Sequence, residues 1–589
     1  MLILDTECYS NFFLIAFLQV ETGKIRTFEF TQDLPLDVKV VGALMRKELT
    51  MSFNGLSYDL PMISAALQGF DNAKLKQLSD NIIKSKLPSY KVVNAAGVRV
   101  PAWNHIDLIE IAPGQSSLKI YGGRIAMPTL QDLPYPPDVE LTPAQMTALR
   151  EYCKNDLMIT ASLYQTLKPQ IDLRESMSAE YGLDLRSKSD AQIAETVIVS
   201  ELQKITGKKP SKPDIDKEQT FQYIDPKIVS FKNKELRQIF EKLLKQRFTL
   251  GANGAVQMPE WLSDSKINIG ASAYQMGIGG LHSCETSQYI HTCGNDRITD
   301  FDVASYYPSI ILQQRLSPKS MGAPFLRVYQ SIVTRRIKAK HEGNKVVADT
   351  LKICVNGSFG KLGSKYSTLF APELLIQTTI TGQLCLLMLI ERLEHIGAEV
   401  MSANTDGVVV YYPNEIADKV QAVAWDWMLD TSYELEQTEY RAIASRDVNN
   451  YVAVKTDGNL KMKGCFAPPS LAKNPDNPII YTAVAKFVAD NVSLEDTIKS
   501  CRDITQFCTV RRVQGGAEWQ GEYLGKAVRF YHSIDVPITT CIRYVTNTNT
   551  VPNSQGAKPL MVLPDRFPPD VDYVWYLERA EKLLAEVGV

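Results

Sequence analysis

Ile298-Thr299-Asp300-Phe301-Asp302-Val303-Ala304-Ser305-Tyr306-Tyr307-Pro308-Ser309 is the stretch that decides the fold. Its β-favouring first half predicts a strand, and Asp302 falls where that strand runs out. Farther along, Asn404-Thr405-Asp406-Gly407 lies between Val400-Met401 and Val408-Val409-Val410-Tyr411-Tyr412. That pattern predicts a tight hairpin with Asp406 near its tip. Strand ends carrying Asp302 and Asp406, if adjacent, make a site for hard divalent cations. Between them, residues 331–366 read as helical and basic, with eight Lys/Arg against two acids. Lys352 and Asn356 are spaced i, i+4 there, on one helix face, and so are Arg336 and Lys340. A cation site beside a basic helix suits a phosphate-bearing substrate.

A second set of acids lies near the start. Asp5 and Glu7 follow Leu2-Ile3-Leu4, and on a strand positions i and i+2 share a face. Alone, such a pair reads as solvated surface. Phe53-Asn54-Gly55-Leu56-Ser57-Tyr58-Asp59 then places an acid after a turn. Tyr152-Cys153-Lys154-Asn155-Asp156 sets Tyr152 and Asp156 on one helix face. Two-metal phosphodiester hydrolysis needs several carboxylate oxygens around paired cations. A tyrosine beside them can orient the attacking water.

The chain has 589 residues, 45% hydrophobic and 22% charged, with a formal net charge of −2. That length exceeds one core and predicts several α/β units. Near-zero net charge excludes a uniformly basic nucleic-acid coat, so any such binding comes from local patches. The apolar runs are strand-length or one face of a helix, which predicts no membrane span. Asp5 and Glu7 stand where a secretory signal would be basic. Ten dispersed cysteines without a CxxC pair fit a reducing compartment. A cytoplasmic protein is expected.

In order, DxE, NxxxYD and YxxxD resemble the DEDDy-type 3′–5′ exonuclease domains of proofreading DNA polymerases. Ser117-Leu118-Lys119, followed by Gly123, belongs to the same resemblance. DVASYYP, KICVNGSFG and NTDG resemble motifs A, B and C of family B DNA polymerases, particularly the compact phage-encoded ones. The resemblance implies an α/β multidomain fold, with an RNase H-like exonuclease domain and a right-hand polymerase. Its boundaries would be 1–165 exonuclease, 166–270 helical connection, 271–318 and 367–465 palm, 319–366 fingers, and 466–589 thumb. It implies two Mg²⁺ per active site, with Mn²⁺ able to substitute. Asp5, Glu7, Asp59 and Asp156 would hold one pair, and Asp302, Val303 and Asp406 the other. Tyr152 would act on the water and Asn54 on the single strand. Tyr307 would be a steric gate, with Ser305 and Phe359 lining the nucleotide pocket. Lys352, Asn356, Arg336 and Lys340 would face the triphosphate of the incoming deoxynucleotide.

The departures are specific. Asn404 and Gly407 replace the outer Asp and Ser of DTDS, Gly357 a Ser, and Phe359 a Tyr. Asn449-Asn450-Tyr451 keeps Tyr451 of a primer-contacting KxY but loses its Lys. Lys461 and Lys463 are candidate replacements, and Lys526 and Arg529 candidate contacts to duplex phosphates. Gly277-Ile278-Gly279-Gly280 resembles a linker between the halves, or is a plain turn. Only 50 residues separate Asp302 from Lys352 and 54 separate Lys352 from Asp406. That leaves little room for the insertions of protein-primed relatives. Primer–template DNA is therefore the expected partner, with no terminal protein and modest processivity. Helicase-primase and single-strand-binding protein are further candidates. Two other readings compete: a nuclease with a degenerate polymerase half, and a non-catalytic replisome scaffold. His282, Cys284, His291 and Cys293 could bind zinc only if their strands paired as a hairpin.

Overall fold

The structure is a computed structural model that describes residues 1–214 and 219–589. The chain is mixed α/β and multidomain, with two compact units. One comprises residues 1–189, 469–479 and 499–576; the other comprises 190–468, 480–498 and 577–589. The segments drawn from sequence cut across these units. Residues 166–189 of the expected connection fall in the first, and 466–589 is shared between both.

The first unit is built on a five-stranded sheet, ordered β3-β2-β1-β4-β5. The strands are β1 Leu2–Cys8, β2 Phe13–Gln19, β3 Ile25–Phe30, β4 Thr50–Ser52 and β5 His105–Asp107. Helices cover both faces, which is why β2 is apolar throughout rather than alternating. Leu2 and Leu4 pack toward helix α1, Asp59–Leu67, through Leu60 and Ile63. Ile3, on the opposite face, packs toward helix α2, Pro143–Tyr181, through Leu149 and Leu157. Period-2 alternation therefore turns Asp5 and Glu7 toward α2. A capping box of Thr142 and Gln145 starts α2, and Gly182, at φ 67°, ends it. A hairpin, Thr509–Trp519 with Glu522–His532, packs Val510 and Ala527 on Ile120.

The second unit contains a small sheet of β6 Thr220–Gln222, β7 Arg247–Leu250 and β8 Val256–Gln257. Its main sheet has the strands β9 Ile267–Ile269, β10 Ser272–Met276, β11 Leu281–Ser283, β12 Gln288–His291 and β13 Asp296–Val303. It continues with β14 Glu399–Asn404, β15 Gly407–Pro413, β16 Leu435–Asp447, β17 Asn450–Lys455 and β18 Leu460–Lys463. The order is β18-β17-β16-β13-β15-β14-β11-β10-β9, with β12 also on β16. Helix α3, Pro372–His395, supplies the centre of this core. It is apolar and long enough to cross a membrane, yet 89% of its most apolar window is buried, so it is a core helix. Trp427 closes the core, donating from Nε1 to Cys385 O at 2.7 Å.

Three more helices belong to this unit: α4 Asp190–Thr206, α5 Ala323–His341 and α6 Lys345–Leu362. A Cβ at Gly357 of α6 would meet Ala194 Cβ and Asp190 O, each at 2.8 Å. Glycine there lets α4 and α6 touch, which gives a packing reason for a residue the sequence pattern had marked as a departure.

Candidate active sites

In the first unit, β1, α1 and α2 bring four acids together. Ligand atoms of Asp5, Glu7 and Cys153 lie within 4.8 Å of one another. Cys153 donates to Asp5 Oδ2 at 3.4 Å. Asp59, buried at the start of α1, accepts from Thr6 Oγ1 at 2.6 Å. Asp156, also buried, is in an ion pair with Lys119. The Lys119 ammonium lies 4.1 Å from the ring centre of Tyr152.

Burial, then Asp59 and Asp156, hold the Asp5 carboxyl well above the usual range. Burial, then Asp5 and Asp156, do the same to Glu7. Burial pushes Asp59 up to about 7 against the Thr6 hydroxyl, and raises Asp156 against Lys119. Burial and neighbouring Asp156 raise the Tyr152 phenol, which stays neutral and can donate. Crowded carboxylates that resist ionisation are the donor set a hard divalent cation relieves.

Sequence reasoning missed two supports of this site. Asp107, 1% exposed, accepts from the backbone N–H groups of Asn54 at 2.8 Å and Leu56 at 3.0 Å. It fixes the turn in which Asn54 takes φ 69° before Asp59. His105 bridges Thr50 Oγ1 at 2.9 Å and Ser52 Oγ at 3.0 Å, and burial pushes its imidazole down to about 4.

In the second unit, β13 and β15 pair antiparallel with Asp302 opposite Gly407. Val303 donates its N–H to Asp406 O at 2.7 Å, tying the two strand ends together. The Val303 side chain is buried in the core. Asp302 and Asp406 are both exposed at the rim of the sheet. The partly dehydrated setting, then Asp406 and Asp300, push Asp302 up to about 6. A similar setting raises Asp406, opposed by Lys463 and Lys461. A Cβ at residue 407 would lie 3.0 Å from Phe301 O and 3.2 Å from Asp302 Oδ1, so Gly407 keeps this rim open.

Contacts are seen for several of the residues the sequence had grouped with these acids. Arg336 donates to Ser305 Oγ at 2.8 Å, and Lys340 pairs with Glu436 at 2.9 Å. Ser305 itself takes φ 49°. Tyr307 stacks on Phe359 with ring centres 4.3 Å apart and donates its hydroxyl to Gly279 O. Lys352 and Asn356 are exposed on α6. Gly277-Ile278-Gly279-Gly280 is the β10–β11 turn. A Cβ at Gly280 would come within 2.9 Å of Thr405.

No protein-family model matches the chain. Over 125 residues it is 24% identical to DNA polymerase 1 of Sulfolobus acidocaldarius. It resembles a DNA polymerase there. The match covers 21% of this chain and only 14% of that relative's length. A solved family B DNA polymerase of the hyperthermophilic archaeon Pyrobaculum calidifontis aligns with 100% of this chain and 77% of its own. That alignment has a TM-score of 0.43 and 13% identity.

Two departures from the motif pattern prove to be neighbours. Asn404 donates from Nδ2 to Asn449 Oδ1 at 3.3 Å and to Val448 O at 3.2 Å. In the resemblance drawn from the sequence, Asn404 takes the place of an acid and Asn449 that of a lysine, so the two departures would cancel in charge. Lys461 reaches Asp300, a buried acid the sequence reading passed over, at 2.7 Å, and Tyr440 donates to the same oxygen at 2.6 Å. Tyr451 sits beside this pair, its phenol raised by burial and opposed by Lys461.

Arg529 requires correction. It is 1% exposed and donates to Leu560 O at 2.8 Å, Met127 O at 2.8 Å and Pro128 O at 3.1 Å. It is a structural cation, closed off from a phosphate. Lys526, on the same hairpin, is exposed, and its backbone N–H donates to Asp132. The zinc hairpin does not form. β11, with His282, pairs with β10 and β14, whereas β12, with His291, pairs with β16.

Proposed function

We propose that the chain is a DNA-templated DNA polymerase of family B with its own 3′–5′ proofreading exonuclease. The observation that carries the reading is the antiparallel pairing that sets Asp302 beside Gly407 and ties Val303 to Asp406. The raised carboxyls there and at Asp5, Glu7, Asp59 and Asp156 fit hard divalent cations, Mg²⁺ or Mn²⁺, two per site. Such ions would supply an acidified primer hydroxyl and neutralisation of the leaving pyrophosphate in one site, and an acidified water in the other.

The chain's own residues do the rest. Lys352 and Asn356 present a cation and an amide to the triphosphate. Arg336 and Lys340 would join them after exchanging Ser305 and Glu436 for phosphate oxygens. The Tyr307 ring, held by Phe359 and Gly279, occupies the space a ribose 2′-hydroxyl would need. Lys461, Lys463 and Tyr451 serve the primer strand, and Lys526 the duplex backbone. In the exonuclease, Tyr152 orients the water, and Asn54 holds the strand from the turn that Asp107 fixes. A compact phage-type enzyme extends ordinary nucleic-acid primers in a host cytoplasm, without a terminal protein, alongside helicase-primase or single-strand-binding protein.

The charge-neutral exchange of Asn404 with Asn449 favours a working polymerase over a degenerate one, because decay would not pair the losses. The test is a primer–template assay with Mg²⁺ and four deoxynucleotides. Asp406→Asn should abolish extension and spare degradation, whereas Asp59→Asn should do the reverse. A wild type that degrades but never extends establishes the nuclease alone. One that binds DNA and does neither establishes a scaffold.

A further inference from the structure

The exonuclease reading leaves open how a strand reaches the first acidic site, and a surface next to Asn54–Asp59 bears on it. Helices Asn72–Lys84 and Ser89–Ala95 flank a groove of about 840 Å³, lined in part by Lys74, Leu78, Lys84, Leu87 and Lys91. The groove is tethered to the turn before Asp59, because Ser89 Oγ donates to Ser57 O. On either side of that bond stand two apolar side chains in water, Leu56 at 50% and Tyr90 at 62% exposure; Leu87 is 57% exposed. Contiguous exposed apolar side chains of this size mark a binding surface.

The charges say what binds. The acid lining the groove, Asp80, pairs with Lys76 at 2.5 Å and Lys84 at 3.4 Å, and both lysines are shared with Asp138, so these two acids and two cations balance. Lys74, Lys86 and Lys91 are exposed. A surface with net positive charge and an exposed aromatic is the platform on which single strands lie, bases stacked and phosphates on lysines. A folded protein partner would want its apolar centre dry, with cations confined to the rim. Here exposed cations and exposed apolar groups alternate along the chain, Lys86, Leu87, Tyr90 and Lys91.

We infer that this groove, with Tyr90, Leu87 and Leu56, is the track by which a single-stranded nucleic acid enters the first acidic site. Its bases stack on Tyr90 and its phosphates meet Lys74, Lys86 and Lys91. The inference rests on the exonuclease reading for the direction of the strand.

The test uses the full chain and a fluorescent twelve-nucleotide oligo(dT). With Mg²⁺, Tyr90→Ala should raise the KM for degradation at least about fivefold with kcat held, and Tyr90→Phe should keep the wild-type KM. Primer extension should not change. In EDTA, the Lys86→Ala/Lys91→Ala variant should lower the slope of log affinity against log salt by about 1.4. An unaltered KM in Tyr90→Ala, with an unaltered salt slope in the double variant, overturns the track. A wild type that binds the oligonucleotide and never shortens it overturns the exonuclease reading instead. The salt slope and Tyr90→Ala affinity in EDTA then judge the track alone.

Discussion

Two glycines three residues apart in α6 should respond to alanine with opposite signs. At Gly360 no atom lies within 4 Å of the added Cβ. Alanine there should stabilise the helix by about 0.5–1 kcal/mol through propensity alone. At Gly357 the same gain is set against a Cβ 2.8 Å from both Ala194 Cβ and Asp190 O. Ordinary contact begins near 3.4 Å, so α4 and α6 must separate by about half an ångström or more. Overpacking of that kind costs about 1–3 kcal/mol, which leaves Gly357→Ala net destabilising by about 1 kcal/mol. The chain has two units, so a single melting temperature would mix them. Amide hydrogen exchange resolved to 190–206 and 345–362 reads the effect directly. Gly357→Ala should lose about fivefold in protection, Gly360→Ala should gain, and the KM for deoxynucleotides should rise only in the first. Equal gains in both variants would refute the packing argument and with it the structural reason for glycine at 357.

Arg529→Met should destabilise the first unit by about 3 kcal/mol, since three buried carbonyls lose their donor. A stable variant with a reduced DNA salt slope would return Arg529 to phosphate contact. His105 stays neutral when folded, down to about pH 4, but takes a proton from about pH 6.5 when unfolded. The first unit should therefore lose up to about 3 kcal/mol as pH falls through that window. The loss is read as the difference between wild type and His105→Gln in denaturant titrations at pH 4.5 and 7; parallel curves would sink it. Asn404→Asp alone should slow primer extension by adding charge beside Asp406. Asn449→Lys in the same chain should restore it, with a coupling of about 0.5–1 kcal/mol expected for so exposed a pair; additive effects would deny the contact.

What local spacing could place was which side chains share one face of a single strand or helix. Asp5 and Glu7, Tyr152 and Asp156, and Lys352 and Asn356 all follow from local spacing. Their supports were not legible. Asp107 reaches Asn54 across 53 residues, and Lys461 reaches Asp300 across 161. No local period encodes such a pairing. Arg529 misled for the same reason: a cation on a strand reads as a surface group until carbonyls from residues 127 and 128 close over it. The two compact units differ from the segments drawn from sequence because the chain returns to its first unit at residues 469–479 and 499–576.

That return has a consequence for biosynthesis. The unit that starts with β1 is completed only by residues 499–576, the stretch that brings the guanidinium locking down residues 127–128. A ribosome must therefore make residues 190–468 before this unit can close. Until then the helix carrying Gly123, whose added Cβ would fall 2.6 Å from Val510, lacks the hairpin it packs on. Nascent chains of this protein should stay protease-sensitive in residues 1–189 until residues 499–576 have emerged. That reverses the usual vectorial order, in which what emerges first also folds first.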